Sequence, residues 1–210
     1  MRQTRFNTSG SWQRIDFPKA DIQLWHHWLD DGEAEAICAD LMQTLDWQQP
    51  SLTIAGRTHK IPRLKAWHGD PAAHYRYSGQ SFSPSPWTDT LRQLKARVEE
   101  ACAAQFNSVL ANWYRSGQDS MGFHADNERE LGAEPVIASL SLGATRRFVF
   151  QPSGELKAQA NQLRSLGLEL ESGDLLLMRG STQRYWKHGI PKTQKLVGDR
   201  INLTFRYIFR

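Results

Sequence analysis

The apolar residues of this chain change their period near residue 105. Before it, Ile37, Cys38, Leu41, Met42 and Leu45 recur at helical spacing, as do Leu91, Leu94, Val98 and Cys102. The first stripe predicts a helix capped by Asp30 or Asp31, with Glu33 and Glu35 in its first turn, where acids suit the helix dipole. The second predicts a helix opening at Ser85-Pro86 and ending near Ala104, since proline suits a first turn. Between them, Leu52 and Ile54 alternate with polar neighbours, flanked by turn signals at Gln49-Pro50 and Ala55-Gly56-Arg57. That pattern predicts a hairpin within Trp47–Ile61. From Phe106 onward strand-length runs take over: Ser108–Tyr114, Val136–Leu142, Arg147–Phe150, Leu166–Leu170, Leu175–Arg179 and Arg200–Phe209. Helices followed by strands predict an α+β fold in which helices pack against a β-sandwich or jelly roll. No repeat, linker or low-complexity tract interrupts the chain, so residues 1–210 read as one domain with an irregular arm over 1–20.

Composition narrows the partners more than the fold. Apolar content is 40% and charged content 23%, which is ordinary for a globular protein. No apolar run reaches the length of a membrane span, and Met1 to Pro18 lacks the apolar core of a secretory signal, so neither a membrane nor export is expected. Cys38 and Cys102 both fall on core-facing helix positions, which predicts buried free thiols in a reducing compartment. The net charge of +4 is mild and favours a polyanionic partner only where basic residues cluster. They do so in Ile61–Gly79, where Arg63, Lys65 and Arg76 interleave with Trp67, Tyr75 and Tyr77. Such a segment suits phosphate contacts and stacking on bases, and equally a loop whose aromatics tuck into the core. Trp25, His26, His27 and Trp28 form an aromatic patch before the first helix. Adjacent side chains on extended backbone point to opposite sides, which argues against a shared metal site at His26 and His27.

Three stretches carry candidate chemistry. His124 and Asp126 are two positions apart, so an extended segment would turn both to one side and offer them to one metal ion. Asn112 and Tyr114 share that spacing and could line the same cavity. In the last run, alternation places Arg200, Asn202, Thr204 and Arg206 on one face and Ile201, Leu203 and Phe205 on the other. If the polar face looks inward, two guanidiniums enter a cavity, and buried arginines are costly unless they meet anions. A dicarboxylate would satisfy them through paired hydrogen bonds. An edge strand with its polar face in water is the alternative. His188, in a loop near Pro191, could complete a two-histidine, one-carboxylate triad with His124 and Asp126. Such a triad occupies one face of Fe(II) and leaves positions open.

Taken together, these stretches resemble the AlkB family of Fe(II)/2-oxoglutarate-dependent dioxygenases, particularly its nucleic-acid dealkylating members. The resemblance runs from about residue 60 to the end. It rests on N-x-Y at Asn112 and Tyr114, H-x-D at His124 and Asp126, and I-A-S-L-S-L-G-A-x-R-x-F at Ile137 to Phe148. It continues through G-D-L-L-L-M-R-G-x-T-Q at Gly173 to Gln183, W-x-H at Trp186 to His188 and R-I-N-L-T-F-R at Arg200 to Arg206. The joint spacing is far more specific than any single motif.

The resemblance implies a double-stranded β-helix (cupin-like jelly roll) core over about 106–210 and a nucleotide-recognition lid over about 47–80. It implies Fe(II) on His124, Asp126 and His188, and 2-oxoglutarate against Asn112, Tyr114, Arg200, Asn202, Thr204 and Arg206, with O2 as the second cosubstrate. The implied reaction is oxidative dealkylation of N-alkylated bases in DNA, releasing an aldehyde, succinate and CO2. RNA or another substrate is the alternative, and a non-catalytic nucleic-acid-binding module a second one. Tyr75, Tyr77 and Trp67 look like the family's stacking lid, with His124 as the opposite wall. Arg63, Lys65 and Arg76 are candidates for phosphate contacts. Glu128 matches the acid that meets the base's exocyclic amine, and its charge would favour cationic lesions of the 1-methyladenine and 3-methylcytosine type. Some duplex-acting relatives carry a bulky wedge at the hairpin tip, which here reads Ile54-Ala55-Gly56. Ala55 is too small for that role, so single strands are the expected preference. A monomer in an intracellular setting, bacterial cytoplasm or nucleus, completes the expectation.

Overall fold

Two antiparallel sheets face each other in the computed structural model, which describes residues 10–54, 56–77, 80–159, 163 and 165–209. Side chains at 52, 54, 75–77, 80–82 and 159 lie outside that description. The chain begins with β1 (Gln13–Ile15), β2 (Asp21–Trp25) and α1 (Asp31–Thr44). Then come β3 (Ser51–Ile54), β4 (Arg57–Lys60), β5 (Leu64–Gly69), β6 (Tyr75–Tyr77), β7 (Gln80–Phe82) and α2 (Asp89–Cys102). The strand-rich half follows: β8 (Ser108–Tyr114), β9 (Met121–His124), β10 (Ile137–Gly143), β11 (Arg146–Pro152), β12 (Leu166–Leu170) and β13 (Leu175–Arg179). A short α3 (Thr182–Tyr185) leads into β14 (Trp186–Ile190), and β15 (Arg200–Arg206) ends the sheet. The large sheet runs in the order β1-β2-β13-β10-β15-β8-β5 and the small one β12-β11-β14-β9. This is the expected jelly roll.

The large sheet separates two environments. On its outer face, Val109, Ala111, Ile201, Leu203 and Phe205 pack with Ala34, Cys38 and Leu41 of α1 and Leu91, Leu94, Val98 and Cys102 of α2. On its inner face, Ile22, Leu24, Ile137, Leu176 and Met178 meet Phe148, Phe150, Leu168, Leu170, Trp186 and Ile190. Because strand side chains alternate, committing Ile201, Leu203 and Phe205 to the helices turns Arg200, Asn202, Thr204 and Arg206 toward the small sheet. β15 pairs with β8 so that Arg200 lies opposite Tyr114 and Asn202 opposite Asn112. Six polar positions from two strands therefore share one inner face. Both cysteines are buried and unpaired with one another; burial pushes the Cys102 thiol up to about 12.

Some boundaries differ from the sequence expectations. The arm over 1–20 is not wholly irregular, because Gln13–Ile15 pairs with β2 and extends the large sheet. The second helix starts at Asp89, where Thr88 Oγ1 accepts the Leu91 N–H at 3.2 Å, rather than at Ser85-Pro86. Ser85 is held out of the helix by bonding to β5, its N–H donating to Trp67 O and its carbonyl accepting from Gly69 N. The final strand stops at Arg206, since the Ile208 and Phe209 N–H groups turn away to Asn107 Oδ1 and Glu130 O. Within 47–80, β5 is an edge strand of the large sheet, leaving the β3–β4 and β6–β7 hairpins as the only separate two-stranded sheets among the described residues. The tip expectation rests on Ala55 and the Ile54 side chain, which lie outside the described residues.

Candidate metal and cosubstrate site

Strand pairing brings the sequence-distant histidines together. In the small sheet His188 of β14 lies directly opposite His124 of β9, and their ring centroids are 4.5 Å apart. Asp126 follows two residues after His124 and is buried. Its Oδ1 lies 4.0 Å from His124 Nε2 and its Oδ2 3.7 Å from His188 Nε2. One ligand atom from each of the three residues lies within 4.8 Å of the others.

The surroundings prepare these groups to ligate. His124 Nδ1 is 2.9 Å from Gly122 O, so the proton belongs on Nδ1 and the lone pair on Nε2, toward the acid. His188 stacks on Phe148 at 5.2 Å and 15°. Burial pushes its pKa down to about 3 despite Asp126 beside it, which keeps the imidazole neutral, the form a metal accepts. Burial alone would raise the Asp126 carboxyl, but Arg206 first, then His188 and His124, hold it below the usual carboxylate range. Arg206 Nη2 donates to Asp126 Oδ1 at 2.6 Å. The other oxygen, Oδ2, is buried without a hydrogen-bond partner. A desolvated, ionised carboxylate oxygen facing a neutral imidazole is costly unless a cation joins them, so the donor set fits a divalent ion.

Beside the triad lies a cavity with about 410 Å³ of empty space, counting its open mouth. Asn112, Tyr114, Arg200, Asn202, Thr204 and Arg206 all line it, as expected from the strand alternation. Arg200 is 1% exposed and donates through Nη2 to Ser141 Oγ at 2.9 Å, while Nε and Nη1 have no partner. Burial lowers its pKa to about 10, so the guanidinium is charged at neutral pH. A buried cation with unmet N–H groups fits a carboxylate. Asn202 Nδ2 donates to Ser139 Oγ at 2.8 Å, and Thr204 Oγ1 donates to Asn202 Oδ1 at 3.0 Å, fixing the strand between the two arginines.

Two supports went unassigned in the sequence although both sit in the matching motifs. Gln183 is buried; its Oε1 accepts the Asp126 N–H at 3.0 Å, and its Nε2 is 3.6 Å from Met178 Sδ. Arg146 donates to the carbonyls of Ser116, Asp119 and Pro191, tying together the loops around the cavity. A buried glutamine in a motif signals an obligatory hydrogen bond, but its partner is set by tertiary contact. Gln183→Leu removes the acceptor that orients the Asp126 backbone. Iron affinity, measured by titration under anaerobic conditions, is expected to fall about 10–100-fold, as for other supports of metal ligands.

The substrate-facing expectations divide. Arg63 is half-buried, its Nε donating to Asn112 Oδ1 at 2.8 Å and its Nη1 directed to Ser120 O at 3.4 Å. That engagement braces Asn112 in the cavity wall. Trp67 is partly buried and packs against Ala73, Leu131 and Ile208. Lys65 lies opposite Asn112 on β5. The side chains of Tyr75, Arg76 and Tyr77 lie outside the described residues; their backbone forms β6. Glu128 precedes the 3-10 turn Arg129–Leu131, and its Oε2 is buried without a partner.

A family model described as the 2OG-Fe(II) oxygenase superfamily matches residues 21–206. The chain is similar to the Alpha-ketoglutarate-dependent dioxygenase alkB homolog 3 of Homo sapiens, 39% identical over 191 residues that cover 90% of this chain and 66% of the human protein. It is also similar to the DNA oxidative demethylase ALKBH2 of Mus musculus, 36% identical over 181 residues covering 84% of this chain and 76% of that one. The chain thus spans just under two thirds of the length of homolog 3. The solved chain described as "The structure of OsALKBH1" superposes with a TM-score of 0.59 at 19% identity, covering 92% of this chain and 100% of its own, which is likeness of fold.

Proposed function

Since the chain belongs to the AlkB family of the 2OG-Fe(II) oxygenase superfamily, we propose that it removes N-alkyl groups from damaged DNA bases by oxidation. The observation that carries this reading is the buried Asp126 between His124 and His188, next to a cavity holding the unsatisfied guanidinium of Arg200. The residues fit the family's group: His124, Asp126 and His188 would hold Fe(II), which when bound supplies the activation of O2. The 2-oxoglutarate dicarboxylate suits the two arginines. Arg200, deep in the cavity with two unpartnered N–H nitrogens, and Arg206, bonded to Asp126, would hold the carboxylates between them. Asn112, Tyr114, Asn202 and Thr204 fix the cosubstrate laterally. Phe148, Met178 and Ile190 line the same cavity and give it an apolar wall.

The balance is that of one oxidant and two reductants: O2 takes two electrons from 2-oxoglutarate and two from the alkyl group. One oxygen atom of O2 enters succinate as 2-oxoglutarate loses CO2, and the other forms a hydroxyl on the N-alkyl carbon. The resulting hemiaminal expels an aldehyde, formaldehyde from a methyl group, and the base regains its N–H or ring nitrogen. A base must leave its stack to reach so recessed a centre. Glu128 supports the reading because a buried carboxylate oxygen without a partner can accept from an exocyclic amine, and its charge favours a cationic lesion. No helix among the described residues is long and apolar enough to cross a membrane. A monomer in a reducing intracellular setting suits a site made by one chain and its two free thiols.

The test is incubation with Fe(II), 2-oxoglutarate, O2 and an oligonucleotide carrying 1-methyladenine, scoring succinate, formaldehyde and the repaired base together. Succinate that does not rise with the methylated strand would move the substrate elsewhere; a matched RNA strand separates DNA from RNA. We expect the free single strand to turn over several-fold faster than the same strand annealed to its complement, because the hairpin tip carries the small Ala55. Equal or faster turnover on a stable duplex would count against that preference.

A further inference from the structure

A second cluster of ligand-type side chains lies away from the cavity, where β2 runs into α1 and β12 turns into β13. His27 adopts a left-handed backbone, φ 48°. That conformation defeats the expectation that adjacent histidines diverge, and the His26 and His27 rings stand 4.2 Å apart. His27 Nε2 is 3.5 Å and His26 Nε2 3.8 Å from the same oxygen, Glu171 Oε2.

One fully buried carboxylate organises all three residues. Asp174 Oδ1 lies 2.7 Å from His26 Nδ1 and accepts the His27 N–H at 3.0 Å, while its Oδ2 accepts the Glu171 N–H at 2.8 Å. The 2.7 Å distance to Nδ1 is that of an ion pair, and the other ring nitrogen, Nε2, is the one turned toward Glu171. A carboxylate behind the non-ligating nitrogen of a histidine is the arrangement that orients imidazoles on metals. The two loops are locked at close range, since Leu29 N donates to Gly173 O at 3.2 Å and a Cβ at Gly173 would meet Leu29 O at 2.3 Å. The ligand atoms lie within 4.8 Å of one another, at a half-exposed surface that a hydrated ion can reach.

We infer that His26 Nε2, His27 Nε2 and a Glu171 carboxylate oxygen form a second metal site, for a divalent ion of the zinc, cobalt or nickel class. Two imidazoles and one carboxylate are the donor set such ions favour, with the remaining position open to water. The ion would pin the β2–α1 connection to the β12–β13 turn, at the start of the strand whose Met178 lines the cosubstrate cavity. A simple ion-pair cluster, histidines balancing Glu171 and Asp174, would need no metal.

The experiment uses the untagged full chain with His124→Ala and His188→Ala, which removes the first site and makes the outcome independent of the proposed reaction. After loading with Zn2+ or Co2+ and desalting, native mass spectrometry counts bound ions, circular dichroism checks folding, and Co2+ visible bands report coordination. The expected result is one equivalent per chain, accompanied by a rise of several degrees in melting temperature. Adding His27→Gln and Glu171→Gln, both at exposed positions, is expected to abolish both effects. A folded parent variant that retains no ion, or an equivalent that survives the two glutamines, overturns the site.

Discussion

In a His188→Ala variant, 2-oxoglutarate turnover stimulated by methylated DNA is expected to fall at least about 1000-fold, which is a loss of ~4 kcal/mol of transition-state stabilisation. The fold should survive. Removing the buried His188 costs a stacked contact with Phe148 and leaves a small void, while Arg206, the first of the groups that hold the Asp126 carboxyl down, stays in place. What it does remove is one of only three ligands, and with it the register between β14 and β9 becomes chemically empty. The contrast is Asp126→Ala. That change also abolishes turnover, but it strands Arg206, whose Nη2 bonds the carboxylate at 2.6 Å in a half-buried place. Breaking a buried pair by removing one member costs ~3–5 kcal/mol in stability. Denaturant unfolding of both variants, alongside succinate formation, checks the pair. A His188→Ala protein that folds and retains wild-type turnover would remove the imidazole from the site.

The sheet's architecture was legible where a strand is long and half-buried, and illegible where it is short or functional. β8, β12 and β13 occur with the bounds their alternation predicts, because each commits one or both faces to apolar packing. β9 and β14 escaped notice. β9 is four residues with a glycine and a ligand histidine, and β14 holds Lys187, His188 and Gly189. Their sequences serve the site rather than strand propensity, yet their pairing is what sets His124 opposite His188. The two faces of β15 were readable from alternation, but whether the polar one looked inward or into water was decided by its place between β10 and β8, not by its sequence. The roles of Gln183 and Arg146 were not, because each depends on which distant backbone groups arrive beside it. The divergence expected of His26 and His27 failed for a local reason: it assumes extended backbone, and a left-handed histidine gives no composition signal.

The second large effect concerns Arg200, and it has opposite signs on binding and stability. Arg200 is buried with two guanidinium nitrogens lacking hydrogen-bond partners, its charge eased by Ser141 Oγ, by Tyr114, whose ring lies at 5.3 Å, and by Asp174. A cation so placed is a cost to the free protein, carried until a carboxylate arrives. Arg200→Met keeps the length and fills the cavity wall without that charge. The KM for 2-oxoglutarate is expected to rise at least about 30-fold, the equivalent of ~2 kcal/mol or more lost with a desolvated charge pair. Stability of the ligand-free chain should stay level or increase, since apolar replacement of an uncompensated buried ion is often neutral or favourable. Arg200→Lys separates charge from geometry: it keeps a cation but loses the planar fork, so its KM should fall between the two. Steady-state kinetics varying 2-oxoglutarate, with melting curves taken with and without it, read both quantities. If methionine leaves KM unchanged, the cosubstrate carboxylate is held elsewhere. If it instead unfolds the chain, Arg200 is a structural ion whose partner lies within the protein, and the cavity loses its strongest claim to a dianion.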